Sequence, residues 1–189
     1  MDKKIKSYIK KLTETLQDEG MSQVTLLGGA LQEAWRNGRC IYLCGNGGSA
    51  ANAIHLANDF IYGAGLNQGM GIRVEALSAN SAVITCLAND IGYDFIYAEQ
   101  LKVKAQSNDV LIVLSGSGNS QNVVNAIEIG NKIGMKTFAI LGYTGGRCKE
   151  IVQIPIHFNV EDMQIAEDLQ LIVGHMCMQW LYQQGQGIA

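Results

Sequence analysis

The sequence has little proline, little excess positive charge and no long apolar run. Its one proline, Pro155, leaves no proline-rich linker between domains. The formal net charge of −3 provides no broad positive field that would hold nucleic acid or an anionic membrane. No apolar run reaches the ~18 residues that a bilayer-spanning helix needs. We therefore expect one domain that binds neither nucleic acid nor membrane, in which local groups hold any anionic ligand.

The cysteines predict a protein of a reducing compartment. There are five of them, and none forms a CxxC pair of the kind found in zinc ribbons and redox sites. An odd number without such pairs predicts free thiols. The amino-terminal segment is amphipathic and rich in lysine, and it lacks the apolar stretch of a signal peptide. These features predict a cytoplasmic location.

The spacing of apolar residues predicts an α/β fold. Residues 2–38 carry apolar side chains at helical intervals, with a break at Gly20 and an end at Gly38, which predicts two amino-terminal helices. Short apolar strands then alternate with helices, and a long helix is expected over residues 163–182. Such strands are typical of a parallel sheet with helices on both faces. The strands are expected at residues 40–44, 72–77, 110–114, 137–141 and 153–158.

We expect a single domain over residues 1–189. The two helices occupy residues 1–38, and the α/β core with the carboxyl-terminal helix occupies residues 39–189.

Two glycine-rich turns follow predicted strands at the carboxyl edge of the sheet, where open α/β folds bind ligands. The second turn places Ser115, Ser117 and Ser120 around two glycines at the start of a helix. Hydroxyl groups, close backbone approach and unpaired helix N–H groups together favour a phosphate monoester. The competing interpretation is a tight turn in which Ser120 only caps the helix. Neither turn matches a P-loop or GxGxxG pattern, so we expect no nucleotide.

Polar side chains on two predicted helices are further candidates. His55 and Asp59 are four residues apart and share a helix face, where they can bind a metal, transfer a proton or form an ordinary surface pair. On the last helix, Asp168 and His175 share one stripe, and Glu167 is turned about 80° from His175. A polar stripe on an apolar helix needs partners, which the sheet edge or an active site can supply.

Taken together, these motifs resemble those of one family. Residues 44–50 (Cys-Gly-Asn-Gly-Gly-Ser-Ala) followed by His55, residues 88–93 (Ala-Asn-Asp-Ile-Gly-Tyr), the serine-rich turn and the acidic helix that reaches His175 resemble the phosphoheptose isomerase family. The resemblance covers nearly the whole chain. It implies a flavodoxin-like sugar isomerase (SIS) fold, a homotetramer, and conversion of sedoheptulose 7-phosphate to D-glycero-D-manno-heptose 7-phosphate through an enediol.

The resemblance also implies roles for individual residues. Asp59 and His175 would be the acid–base pair, and zinc, where it is bound, would be held by His55, Asp59, Glu167 and His175. The implied substrate-binding residues come from three loops and the last helix: Asn46, Gly47, Ser49, Asn89, Asp90, Ser115, Gly116, Ser117, Ser120 and Glu167.

Four positions depart from the family pattern. The family usually has glutamate at Asp59, glutamine at Glu167, arginine at Gly63 and threonine at Gly116. The shorter carboxylate reaches about 1.5 Å less, and the added charge at Glu167 favours a divalent ion. These departures leave open a non-catalytic SIS protein that binds a sugar phosphate or a protein partner such as the replication initiator. A third alternative, a structural α/β domain of unrelated function, leaves the three serines unexplained.

Overall fold

Five parallel strands form the centre of the computed structural model, which describes residues 1–17, 19–65 and 71–185. Their spatial order, β2-β1-β3-β4-β5, is that of flavodoxin-like sheets. Each predicted strand is confirmed, with its ends shifted by two residues or fewer. The strands are β1 (Ile41–Gly45), β2 (Val74–Ala76), β3 (Val110–Ser115), β4 (Lys136–Leu141) and β5 (Ile154–His157).

Helices cover the sheet, and the two amino-terminal helices and the long last helix agree with the sequence prediction. A π-helical turn, Asp59–Gly63, continues the third helix, and short 3₁₀ turns lie at Glu19–Gln23 and Tyr93–Phe95. The α-helices of the described chain are α1 (Asp2–Thr15), α2 (Val24–Arg36), α3 (Gly48–Asn58), α4 (Ser81–Asp90), α5 (Ala98–Lys104), α6 (Gln121–Ile133), α7 (Gly146–Ile151) and α8 (Met163–Gly185). Each of these helices is too short or too polar to cross a bilayer.

Both faces of the sheet are buried, because successive strand residues point to opposite sides. On β1, Ile41 and Leu43 join the core under α2, α3 and α8, whereas Tyr42 and Cys44 join the core under α5, α6 and α7. All residues of β1 are buried. This burial on two sides explains the unbroken apolar runs and confirms the expected helices on both faces.

The strand order places a crevice at the carboxyl ends of β1 and β3. The chain leaves β1 towards β2 on one side and returns to β3 on the other, so the loops after β1 and β3 diverge from a common point. The two glycine-rich turns identified in the sequence are these loops.

Helix α1 lies on the outside of the fold and is fixed to α8 by polar contacts. The Tyr8 hydroxyl donates a hydrogen bond to the Asp168 carboxylate at 2.5 Å, and Lys11 Nζ lies 3.0 Å from Asp162 Oδ2. The hydrogen bond to Asp168, followed by burial, raises the pKa of Tyr8 to about 12. Asp168 therefore serves the attachment of α1.

Candidate functional site

A cavity of about 290 Å³ opens between the loops after β1 and β3, at the crevice that the strand order creates. The lining groups come from both loops and from the first turns of α8: Asn46, Gly47, Gly48, Ser49, Leu114, Ser115, Gly116, Ser117, Ser120, Met163 and Glu167. Among these described residues there is no lysine or arginine. The groups that favour an anion in the cavity are therefore the amino-terminal ends of α3 and α6, and the Glu167 carboxylate lies against the first of these.

The loop after β3 is held in a fixed shape by its own groups. Gly118 N donates to Ser115 Oγ at 3.0 Å, and Asn119 N donates to Ser117 Oγ at 3.3 Å. Gly118 has a φ of 68°, and a side chain at this position would overlap the carbonyl oxygen of Gly145. The structure thus brings the three predicted serines to one cavity at the start of a helix.

Ser120 distinguishes between the two interpretations of this loop. It occupies the N-cap position of α6, but its side chain makes no capping hydrogen bond. A hydroxyl that serves only as a cap would accept a hydrogen bond from the first turn of the helix. Ser120 therefore does not cap α6 through its side chain, and it lines the cavity.

The Ser49 hydroxyl is held by a buried amide chain. Gln170 Nε2 donates to Ser49 Oγ at 3.0 Å, and Asn52 Nδ2 donates to Gln170 Oε1 at 3.0 Å. Asn52 Nδ2 also donates to the backbone oxygen of Glu167. This chain fixes α3 against α8 at the wall of the cavity and leaves the Ser49 proton available for another acceptor.

Glu167 lies in the cavity and not with the histidines. Its carboxylate is placed against Gly48, where any side chain would overlap it. The first turn of α3 favours a negative charge there. Glu167 and His175 are eight residues apart on α8, about 12 Å along the helix axis, so a side chain at 167 does not reach the histidines. Of the four expected metal ligands, the structure brings His55, Asp59 and His175 together, and Glu167 lies apart from them.

His55, Asp59 and His175 form a cluster where the carboxyl-terminal end of α3 meets the middle of α8. Their donor atoms lie within 4.8 Å of one another. His55 Nε2 is 3.0 Å from His175 Nε2, and Asp59 Oδ2 is 3.4 Å from the first nitrogen and 3.2 Å from the second. The histidine side chains are 49% and 41% exposed and Asp59 is 18% exposed, so the cluster faces outward.

Close packing of α3 and α8 creates this cluster. Gly174 lies directly against Leu56, and a side chain at Gly174 would overlap that leucine. The histidines are the next neighbours in sequence, one on each helix, and are thereby brought into contact. The π-helical turn that begins at Asp59 directs Phe60 into the core, where it is 1% exposed.

The donor set suits a divalent ion such as zinc. An ion bound at about 2.0–2.1 Å by tetrahedral ligands separates their donor atoms by about 3.3 Å, and the observed separations lie close to this value. Two histidines and a carboxylate leave a fourth position open, as in catalytic zinc sites. The cluster therefore fits a metal held by His55, Asp59 and His175.

Two predicted substrate-binding residues lie away from the cavity. Asn89 and Asp90 are exposed at the end of α4, where Asn89 Nδ2 donates to Asp90 Oδ1 at 2.8 Å. Cys86 Sγ contacts the same aspartate at 3.5 Å. Neither Asn89 nor Asp90 lines the cavity of its own chain.

Two residues of the site had no clear sequence pattern: Gln170, which contacts Ser49, and Asn122, which contacts Asn46. Tyr93, which also contacts Asn46, belongs to the 88–93 motif but was given no role. Asn122 follows the serine-rich turn by two residues, and this proximity is the only sequence feature that could have pointed to it.

Comparison with known proteins agrees with this architecture. The SIS domain model matches residues 5–142. The phosphoheptose isomerase of a Nitratiruptor species is 37% identical over 76% of this chain and 76% of that protein. The phosphoheptose isomerase of Aliarcobacter butzleri is 34% identical over 90% of this chain and 88% of that protein. A solved structure of a phosphoheptose isomerase from Francisella tularensis has the same fold, with a TM-score of 0.89, 22% identity and 96% coverage of both chains.

Proposed function

The chain belongs to the phosphoheptose isomerase family of SIS-domain proteins, and we propose that it interconverts sedoheptulose 7-phosphate and D-glycero-D-manno-heptose 7-phosphate. The curated relatives carry the name of this activity. The cavity offers an anion-binding loop, and the cluster offers a carboxylate and a histidine for proton transfer. These are the parts that an aldose–ketose isomerase of sugar phosphates needs.

The observation that carries the proposal is the span between cavity and cluster. Ser49 and His55 are six residues apart on α3, about 9 Å along its axis, and Glu167 and His175 are about 12 Å apart along α8. An extended seven-carbon sugar phosphate is about 10 Å long. A phosphate among Ser115, Ser117 and Ser120 would thus leave the carbonyl end of the sugar near Asp59 and His175.

In the proposed reaction, Asp59 and His175 move protons. The Asp59 carboxylate removes a proton from C1 of the ketose, and the electron pair of that C–H bond forms the C1–C2 double bond of the enediol. His175 gives a proton to the C2 oxygen as this bond forms. Return of a proton to C2 and loss of the proton on O1 then yield the aldose.

His55, Asp59 and His175 would hold a zinc ion. When bound, the ion would act as a Lewis acid that polarises the sugar carbonyl. Asp59 is then both a ligand and the nearest carboxylate to the reacting carbons, so its variants test both roles.

The proposal also includes the oligomeric state of the protein and its location in the cell. Helix α4 has no buried residue in the single chain, and Ile91, Tyr93 and Phe95 after it are 44–52% exposed. An apolar surface of this kind is typical of contact between copies, and we propose the homotetramer of the family. All five cysteines are free thiols, which supports a cytoplasmic location.

Turnover of sedoheptulose 7-phosphate tests the function. We expect wild-type enzyme to form the aldose and Asp59→Asn and His175→Ala to lose at least about 100-fold in kcat/KM. Asp168→Asn is the matched control, because Asp168 lies on α8 but contacts Tyr8, and it should retain full turnover. Full activity in both cluster variants would contradict the assigned roles. Binding of the sugar phosphate without turnover by wild type would indicate a non-catalytic SIS protein.

A further inference from the structure

Asn122 is a buried amide that no step of the reaction uses. It lies in the first turn of α6 and is 1% exposed. Its side chain faces Asn46 across the cavity edge, and the two amides form a reciprocal pair. Asn46 Nδ2 donates to Asn122 Oδ1, and Asn122 Nδ2 donates to Asn46 Oδ1, each at 2.8 Å.

The backbone fixes which way this amide pair is oriented. Val123 N lies 2.9 Å from Asn122 Oδ1. A backbone N–H only donates, so the atom that faces it must be the amide oxygen of Asn122. The nitrogen of Asn122 then faces Asn46, and Asn46 must offer its oxygen to that nitrogen. Asn46 therefore has one orientation.

This orientation decides what Asn46 can offer to a ligand. Its amide oxygen accepts from Asn122 Nδ2 and also from the Tyr93 hydroxyl at 2.9 Å, which occupies both lone pairs. One of its N–H groups is bound to Asn122. The other has no acceptor among the described residues, and Asn46 lines the cavity. Asn46 is thus a pure donor towards the cavity.

We propose that Asn122 is a positioning residue, which holds the Asn46 amide as a hydrogen-bond donor to an oxygen of the bound sugar; this inference rests on the proposed function. The Asn46 amide would thus select a sugar oxygen that accepts a hydrogen bond, such as a carbonyl, an enediolate or a hydroxyl oxygen. Without Asn122, only the Tyr93 hydroxyl among the described groups holds the Asn46 amide, and because that hydroxyl can donate or accept, it fixes neither orientation of the amide. Asn122 itself touches no substrate atom.

A double-mutant cycle between Asn46 and Asn122 tests this role. Asn122→Leu keeps the size of the side chain and removes its hydrogen bonds, and we expect a fall of about tenfold in kcat/KM. Because Asn122 acts through Asn46, adding Asn122→Leu to Asn46→Ala should cause no further loss. Asn125→Ala is the matched control, because Asn125 lies one turn along α6 and forms hydrogen bonds with Gln121 and the Asp94 carbonyl. The kcat/KM of this variant should stay within about twofold of the wild-type value. Should Asn122→Leu not fold, Asn122→Ala takes its place in the cycle.

Calorimetry distinguishes a positioning role of Asn122 from damage that its substitution causes to the anion-binding loop. Asn122→Leu should weaken the binding of sedoheptulose 7-phosphate about tenfold and leave the Kd of inorganic phosphate unchanged, because the loop after β3 and its three serines stay in place. Equal weakening of both ligands, or multiplicative losses in the double variant, would overturn the proposal. The cycle can be run on Kd alone, so it decides the role of Asn122 even where an inactive wild type refutes the isomerase function.

Discussion

The cavity and the His–Asp cluster are built in contrasting ways. The cavity is formed by loops at the sheet edge, with buried amides such as Asn122 and Gln170 that fix its walls. The cluster is formed by side chains of α3 and α8 that are partly exposed and meet because Gly174 allows the two helices to approach closely. The serine loop is thus specified by local sequence, whereas the amides that fix the cavity walls and the residues of the cluster meet through contacts between segments 76 to 121 residues apart.

Removal of His55 should have the largest effect and should separate the two halves of the site. We expect His55→Ala to lose bound zinc and to lower kcat by about 100-fold, with the Kd of inorganic phosphate unchanged. Elemental analysis, kinetics and calorimetry on one preparation measure all three. The control is His157→Ala, because His157 bonds to the Tyr143 carbonyl and Lys149 away from both regions. Equal loss of phosphate binding in His55→Ala would mean that the two regions are not independent.

Removal of the Ser120 hydroxyl should have a smaller effect, and this effect should be on substrate binding and not on kcat. Ser120→Ala should raise KM for the sugar phosphate about tenfold with little change in kcat, since a hydrogen bond to a charged group contributes about 1.5–3 kcal/mol. Its melting temperature should be unchanged. Asn80 is the contrasting case, because its side chain caps α4 by accepting a hydrogen bond from Val83 N. Asn80→Ala should lower the free energy of unfolding by about 1 kcal/mol without altering KM. A lower melting temperature and an unchanged KM in Ser120→Ala would identify it as an ordinary cap.

The Tyr8–Asp168 contact should affect stability alone. Because the folded protein raises the Tyr8 pKa from 10.0 to about 12, the contact stabilises the fold fully below pH 10 and is lost as the pH rises through about 12. Tyr8→Phe should therefore be less stable by about 0.5–1 kcal/mol at pH 8, and this difference should vanish near pH 12. Denaturant unfolding at several pH values measures it. A change in KM would show that α1 influences the cavity.

The parts of the molecule that sequence could predict are those with local patterns. The strands were found because residues such as Ile41 and Val113 belong to apolar runs buried on both sides of the sheet, and the serine loop was found because it follows such a strand. The Asn46–Asn122 pair was not found, because its members are 76 residues apart and nothing local distinguishes a paired amide. Glu167 was expected both in the substrate site and among the metal ligands, and it lines the cavity; a helical wheel gives its rotation about the helix but not which of the two groups its side chain meets.

The short helices α4, α5 and α7 were likewise missed. Helix α4 has apolar residues but buries none of them in the single chain. Its apolar residues therefore do not follow the spacing that packing against the core of its own chain would impose. Asn89 and Asp90, at its end, were therefore the least securely placed of the expected substrate-binding residues. Their contribution to substrate binding stays a prediction.

The most direct test of the central claim, that cavity and cluster act on one substrate, is isomerisation in D₂O followed by NMR. Wild-type enzyme should convert sedoheptulose 7-phosphate to an aldose that carries deuterium at C2, because the exposed cluster exchanges the transferred proton with solvent. Unphosphorylated sedoheptulose, which cannot occupy the serine loop, should react at least about 100-fold more slowly at equal concentration. Equal rates for both sugars, or no conversion of either, would contradict the account.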